Sequence, residues 1–426
     1  MTFRKQIGII GAGISGLCLA WFLQKKLEDK ADILIFEKEA RVGGWLESLE
    51  QGPFLFERGP RTIRSKNALF FELVKDLEIE AEVRTSSQDA CIRYLVSVDG
   101  SLERLPRGAF DLISSSLGRT MLKGVIRSLF YSKKQEGDTS VESYFLRRFG
   151  ADFTARCIDP LTAGIYAASP SSLSMKACFP NFQSFFQKNG STTLYSFQKG
   201  MAFLPQTIAK KLSGKLFLSS PVTHVVRNKS KIGISTLGGL YEVDTLFCAT
   251  PASAVAGLFP EVAPLCLQIP SAKIVSVSFG FSQNVQIPRG FGFLCPSFVE
   301  PALLGIIFDS NIFERGDRKP IISVMMGGAR DPALFELADE QLIEKARGLC
   351  CKYLGISALH EEVVVSRASI PNYHVGHLEL VKKIEERLRD IYLVGSGFYG
   401  VSIADCIESA YKLAIQYDVD EKRISF

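Results

Sequence analysis

The chain has 426 residues, with 50 Lys and Arg against 45 Asp and Glu and a formal charge of +5. That excess is too small to point to nucleic acid and is compatible with an anionic small ligand. With 46% hydrophobic and 22% charged residues the composition is globular and long enough for about two or three domains, and no uninterrupted apolar run is long enough to predict a transmembrane helix.

Residues 7–10 are an apolar run that predicts a buried strand. Gly11, Gly13 and Gly16 follow in a G-x-G-x-x-G turn. It opens a helix with an apolar face of Ile14, Leu17, Leu19, Ala20, Phe22 and Leu23. A second apolar run, residues 33–36, ends at Glu37. This strand–turn–helix–strand unit is the dinucleotide-binding pattern. Gly11 permits the tight turn, Gly13 admits a pyrophosphate, and Gly16 lets the helix pack on the strand. The helix N-terminus attracts phosphate, and Glu37 is placed to accept from both ribose hydroxyls. Arg41-Val42-Gly43-Gly44 comes next, and the combined pattern resembles the flavoprotein amine-oxidase and desaturase superfamily. There the glycines let the chain pass close to FAD, and Arg41 adds charge near the diphosphate; the bland alternative is a surface Arg on a loop.

Residues 45–64 predict a hairpin around Phe54, Leu55 and Phe56, then a tight turn at Gly59-Pro60, and a helix is expected over 67–77. Residues 91–105 alternate around Asp99-Gly100, a hairpin signal. Residues 108–134 are a basic amphipathic stretch in which Arg119, Lys123, Arg127, Lys133 and Lys134 interleave with apolar residues. It suits an anionic membrane surface, the mouth of an apolar pocket, or an ordinary helix with its stripe turned inward. A helix is expected over 139–149, strands within 215–249 with a cross-over at Ala249-Thr250-Pro251, an antiparallel sheet within 272–326, and a charged helix over 331–354. At the end, residues 391–394 read as a strand. Gly395, Gly397 and Gly400 follow, then a helix from Ser402.

The expected fold class is therefore α/β, with a discontinuous Rossmann-like FAD-binding domain assembled from residues 1–80, 201–260 and 376–426. Residues 81–200 are expected to form a helical, membrane-associating region, and 261–375 an α+β substrate-binding sheet domain. The ten cysteines are scattered without a C-x-x-C pair and read as thiols of a reducing compartment. His374 and His377 are the sole close histidine pair, read as loop structure, and no metal site is expected. The first strand begins almost at Met1, so no signal peptide is expected.

Several stretches together resemble the protoporphyrinogen oxidase family: GGWLES at 43–48, FERGPRTIR at 56–64, GIYAASPSSLSMKACFP at 164–180, GFGFL at 290–294, SVMMGG at 323–328 and GVSIADCIESA at 400–410. They span nearly the whole chain. The resemblance implies that FAD is held by Gly11, Ala12, Gly13, Ile14, Ser15 and Gly16, by Glu37 and Trp45, and by the turn Gly59, Pro60, Arg61 and Thr62. It further implies Val222 on a returning strand and Val401, Ser402 and Ile403 opening the last helix. Leu378 is also expected at the cofactor, where the family often carries an aromatic residue, so ring stacking on the flavin is not expected from that position. Trp45 has the alternative of plain core. Arg61 resembles the family's propionate-binding Arg, with a structural ion pair or a phosphate contact as its alternatives. Phe291, Leu294 and Met325 resemble residues that sandwich the tetrapyrrole, or are core.

The implied reaction is the six-electron oxidation of protoporphyrinogen IX in haem biosynthesis, with dioxygen as acceptor and hydrogen peroxide as product. No side-chain general base is nominated. Coproporphyrinogen III as substrate, another flavin amine oxidase or desaturase, and a non-catalytic FAD-binding protein are the alternatives. The family implies a cytoplasmic protein, peripheral on the inner face of a membrane, and a homodimer.

Overall fold

The computed structural model describes residues 4–64, 68–131, 137–180, 182, 193–228, 230–282, 285–357, 360–418 and 423–424. Asn67, at the expected start of a helix, and Lys133 and Lys134 lie outside them. Five parallel strands form one sheet in the order Ile391–Leu393, Thr245–Cys248, Lys5–Ile10, Ala31–Phe36, Lys215–Phe217. Three distant parts of the chain thus meet in one sheet. Ile7, Ile9, Leu246 and Phe247 are fully buried in it, as parallel strands covered on both faces require.

The helix Ile14–Leu27 covers one face. The expected stripe Ile14, Leu17, Leu19, Ala20, Phe22 and Leu23 is buried, and so are Cys18 and Trp21, so the helix is buried nearly all round. The reason is its second partner: the last helix, Ile403–Gln416, packs along it, with Cys406, Ile407, Ala410 and Ala414 joining the same core. Gly395 seals this seam, since a Cβ there would stand 2.4 Å from Ser15 Oγ.

A second, seven-stranded sheet runs in the order Glu362–Pro371, Ser271–Gly280, Ile321–Gly327, Leu303–Ile307, Gly292–Leu294, Arg93–Val96, Leu102–Arg104. Its neighbours are antiparallel except for Gly292–Leu294 and Arg93–Val96, which pair in parallel with Gly292 opposite Arg93. The hairpin expected at Asp99-Gly100 is present. However, it extends this sheet instead of belonging to the helical region, because its first strand finds an open edge on Gly292–Leu294. The charged helix begins at Asp339, eight residues later than expected, because Pro332 opens a separate short 3₁₀ segment, Pro332–Glu336.

The helical region places Val141–Phe149 and Asp159–Tyr166 around an aromatic core of Phe145, Phe149, Phe153, Tyr166 and Phe179, to which Tyr373 contributes. The basic stretch folds as two helices, Ala109–Ser114 and Ser116–Leu129. Leu117 is buried, whereas Phe110, Ile113, Leu129 and Phe130 are 81%, 66%, 76% and 85% exposed. The apolar stripe is therefore not simply turned inward. Among the described residues no helix is long and apolar enough to cross a membrane.

Candidate cofactor and substrate site

The opening turn is built for close approach. Gly11 has φ +102°, and a Cβ on it would stand 2.8 Å from the Ala249 carbonyl oxygen. A Cβ on Gly16 would meet the Gly11 oxygen at 2.0 Å, which is what holds the helix so close to the strand. Gly13 differs: the one neighbour within 4 Å of its added Cβ is Gly44 Cα, at 3.9 Å. Gly13 and Gly43 form a parallel bridge, and Gly43 N–H donates to the Ala12 oxygen at 2.9 Å. The two glycine turns thus face each other across a shallow cradle that side chains would fill. Gly13 caps the helix and supplies no side-chain hydrogen bond to its first turn. Backbone N–H groups in such a first turn suit an anion.

Glu37 is buried at the end of the second strand. Its Oε2 accepts from Ala12 N–H at 2.8 Å and its Oε1 from Glu39 N–H at 3.0 Å. A carboxylate has about four lone-pair sites, so capacity for hydroxyl donors remains. The Ser220 N–H donates to the Glu37 carbonyl at 2.7 Å, which brings Val222, two residues on, to the same end of the sheet. Arg41 donates to the Gly44 carbonyl at 3.0 Å and pairs with Glu47 at 2.9 Å, so it braces the second glycine turn. Trp45 is 45% exposed beside it, a large apolar surface left open. Gly59 must lack a side chain because its Cβ would stand 1.8 Å from the Trp45 oxygen.

At the far end, Ser402 caps the last helix by accepting from Asp405 N–H at 3.1 Å, and Asp405 accepts in return from Ser402 N–H at 3.2 Å. Val401 is half-buried, Ile403 is buried, and Leu378 is 48% exposed on the helix His377–Leu388. His377 is buried, stacks on Tyr373 at 4.1 Å and bonds the Phe398 oxygen at 2.8 Å. Burial pushes its imidazole pKa below the ordinary value. The Tyr373 hydroxyl donates to the Ser396 oxygen at 2.6 Å and accepts from Gly400 N–H at 2.8 Å, clasping the final glycine turn.

Between the sheets and the helical region lies a cavity of about 870 Å³. Thr62 and Ser402 line it on the cofactor side, and Phe291, Leu294 and Met325 line it from the seven-stranded sheet. Gly164 borders it, and a Cβ there would strike Leu294 at 2.7 Å. Arg61 is not part of this lining. Its guanidinium donates to Asp309 at 2.6 Å and to Ser276 at 3.2 Å in a largely buried ion pair. The basic residues that do line the cavity are Arg64 and Arg93, neither of them singled out from the sequence. Arg93 lies over the Phe291 ring, 5.2 Å from its centroid. Burial, and then the charge of Arg64, lower its pKa. Two guanidiniums facing one apolar space suit a carboxylate guest.

A profile of the family described as flavin containing amine oxidoreductase matches residues 14–415. The chain belongs to this family. It is a flavin-containing oxidoreductase, and its cofactor is FAD. The chain is 28% identical to protoporphyrinogen oxidase of Homo sapiens, over 96% of this chain and 98% of that one. It is 26% identical to coproporphyrinogen III oxidase of Bacillus subtilis, over 95% and 96%. The fold superposes on a crystal structure from Exiguobacterium sp. 255-15, provisionally assigned as a protoporphyrinogen oxidase, with TM-score 0.87 at 21% identity over 97% and 99% of the two chains.

The residues of this flavoprotein suit FAD. The cradle between Gly13 and Gly44 is open space that could admit a diphosphate, and the Glu37 carboxylate at the end of the second strand keeps acceptor capacity that a ribose would use. Thr250 adds a further sign: its hydroxyl oxygen is buried without a hydrogen-bond partner, and its methyl would lie 3.3 Å from a Cβ on Gly11. The cross-over at Ala249-Thr250-Pro251 was visible in the sequence, but nothing there marked the hydroxyl as unspent.

Proposed function

We propose that the protein oxidises a porphyrinogen, protoporphyrinogen IX to protoporphyrin IX, with dioxygen as the final acceptor. The observation that carries this reading is the roughly 870 Å³ cavity, which joins apolar walls to two arginines and reaches residues on the cofactor side. A porphyrinogen is a flexible, apolar macrocycle with propionates on one edge. It needs a slot of this size and a cation for its carboxylates. Arg93 and Arg64 would take the propionates, Phe291, Leu294 and Met325 the ring faces, and Thr62 and Ser402 would border the flavin. Bound FAD supplies the electron-accepting chemistry, and the protein contributes orientation and exclusion of water. The names of full-length relatives support the substrate class. The exposed Phe110, Ile113, Leu129 and Phe130, interleaved with Arg119, Lys123 and Arg127, further suit peripheral contact with an anionic bilayer.

Anaerobic mixing of the flavin-loaded protein with protoporphyrinogen IX, and separately with coproporphyrinogen III, tests the reading. Flavin bleaching with the appearance of porphyrin fluorescence is expected with protoporphyrinogen. Coproporphyrinogen as the sole effective substrate would shift the assignment to the second relative's reaction, and flavin that stays oxidised with both would end it.

A further inference from the structure

Residues 372–377 are held from two sides. Toward the helical region, Asn372 Nδ2 donates to the Tyr166 carbonyl at 2.9 Å, and the Tyr373 carbonyl accepts from Ser174 N–H at 2.7 Å. Leu173 and His374 form an antiparallel bridge, and Gly376 N–H donates to Asp138 Oδ2 at 3.0 Å. Ser174 donates to the same oxygen at 2.7 Å and caps the short helix Met175–Cys178 by accepting from Ala177 N–H at 2.9 Å. Cys178, Phe179 and Pro180 then line the cavity. On the other side, the Tyr373 hydroxyl and the His377 ring bond the Ser396 and Phe398 carbonyls and the Gly400 N–H, all in the turn before the last helix. Gly395 and Gly400 take φ of +91° and +116°, so the backbone of this turn is permissive and its shape depends on bonds from outside. Ser402, two residues beyond it, lines the same cavity on the cofactor side.

Tyr373 therefore reaches one wall through its carbonyl and the other through its hydroxyl. It is 1% exposed and stacked on His377, which holds the ring in place between them. We infer that Tyr373 is a positioning residue: it registers the wall at residues 174–180 against the cofactor turn, so that bound FAD firms the wall that receives the macrocycle. This rests on FAD lying beside residues 401–403 and on the porphyrinogen reading of the cavity, and it deepens both. A cofactor that settles the turn settles the Ser396 carbonyl and the Gly400 N–H. The hydroxyl joined to them is settled too, and through the backbone of the same residue so is Ser174. Less conformational freedom then remains for the macrocycle to remove.

Hydrogen exchange of the full-length wild type, read by mass spectrometry with and without FAD, tests this without a variant. Relative to the buried strand Ile321–Gly327, FAD should slow exchange by about tenfold at residues 396–401 and by at least about threefold at residues 173–178. Tyr373→Phe keeps the ring and the carbonyl and removes the hydroxyl. In it the turn should still gain protection, residues 173–178 should gain none, and the Kd for FAD should rise by about tenfold. Tyr417→Phe removes another buried hydroxyl, bonded to Thr245 at 2.7 Å, and should keep both the shared protection and the wild-type Kd, which separates positioning from a general loss of stability. Wild-type protection that stops at the turn, or that reaches residues 173–178 equally in Tyr373→Phe, overturns the inference while the cofactor placement stands. An FAD-loaded chain with no added protection at the turn overturns that placement, and this inference with it. No readout here uses a porphyrinogen, so failure of the substrate reading is recorded separately, by flavin that stays oxidised.

Discussion

Arg61 and Asp309, 248 residues apart in sequence, meet at 2.6 Å, with their side chains only 12% and 16% exposed. The pair joins the Gly59-Pro60 turn to the segment after the strand Leu303–Ile307. Beside it Arg315 approaches Glu57 at 3.5 Å. Arg61 thus holds two parts of the chain together.

Arg61→Ala should therefore act on stability. Removing one member of a buried pair leaves the other charged and desolvated, a loss of about 3–5 kcal/mol. Denaturant unfolding of the flavin-loaded protein measures it. In correctly folded material the KM for porphyrinogen should stay within about threefold of wild type, well short of the tenfold that 1.4 kcal/mol would give. A large KM rise without a stability loss would return Arg61 to the substrate site.

Arg93→Ala should do the reverse. A hydrogen bond to a charged group contributes about 1.5–3 kcal/mol, so kcat/KM should fall roughly 10- to 100-fold. Flavin content should match wild type, since Arg93 is on the sheet side of the cavity. Steady-state kinetics and the visible flavin spectrum, taken together, check both halves.

Gly13→Val should purify with little flavin. The new side chain would occupy the cradle toward Gly44, where a Cβ already reaches to 3.9 Å. The folded apoprotein should survive, because little of the protein is displaced, and the dissociation constant for FAD should rise by at least about tenfold. Fluorescence titration of the apoprotein with FAD reads it. Gly16→Val, by contrast, forces atoms against the Gly11 oxygen and should prevent folding.

The buried His377 gives a pH dependence with a definite sign. Its folded pKa lies below the ordinary imidazole value because burial disfavours the charged form. The unfolded chain therefore binds the proton more readily. The contribution is present above the ordinary value of about 6.5 and is lost as pH falls from there toward the folded value. Burial also lowers the pKa of His374 and His360, which adds to the slope. Unfolding free energies from pH 8 to pH 5 should decline, less steeply in His377→Gln.

The elements that carry a short-range signal were legible. The turn Gly11–Gly16, the strand ending at Glu37 and the helix opening at Ser402 declare themselves within a few residues, through apolar period and glycine spacing. What escaped depends on pairings between distant segments. Arg93 sits in an alternating run and looks like an ordinary hairpin cation. Only its register with Gly292 brings it to Phe291 and the cavity. The strand Glu362–Pro371 and the helix His377–Leu388 also went unseen. For Arg61 the resemblance pointed to the substrate and an ion pair was the alternative, but nothing near it in sequence named Asp309 as the partner.

The order of the parallel sheet has a consequence for biosynthesis. Its outermost strand, Ile391–Leu393, and the helix Ile403–Gln416 that walls the cofactor site are the last parts of the sheet and its cover to leave the ribosome. A growing chain can pair its first strands early, but it has no complete berth for a flavin until residues 391–416 have been made. Colour in this protein is therefore a late event, and a chain stopped short of residue 391 should stay pale however well its beginning has folded.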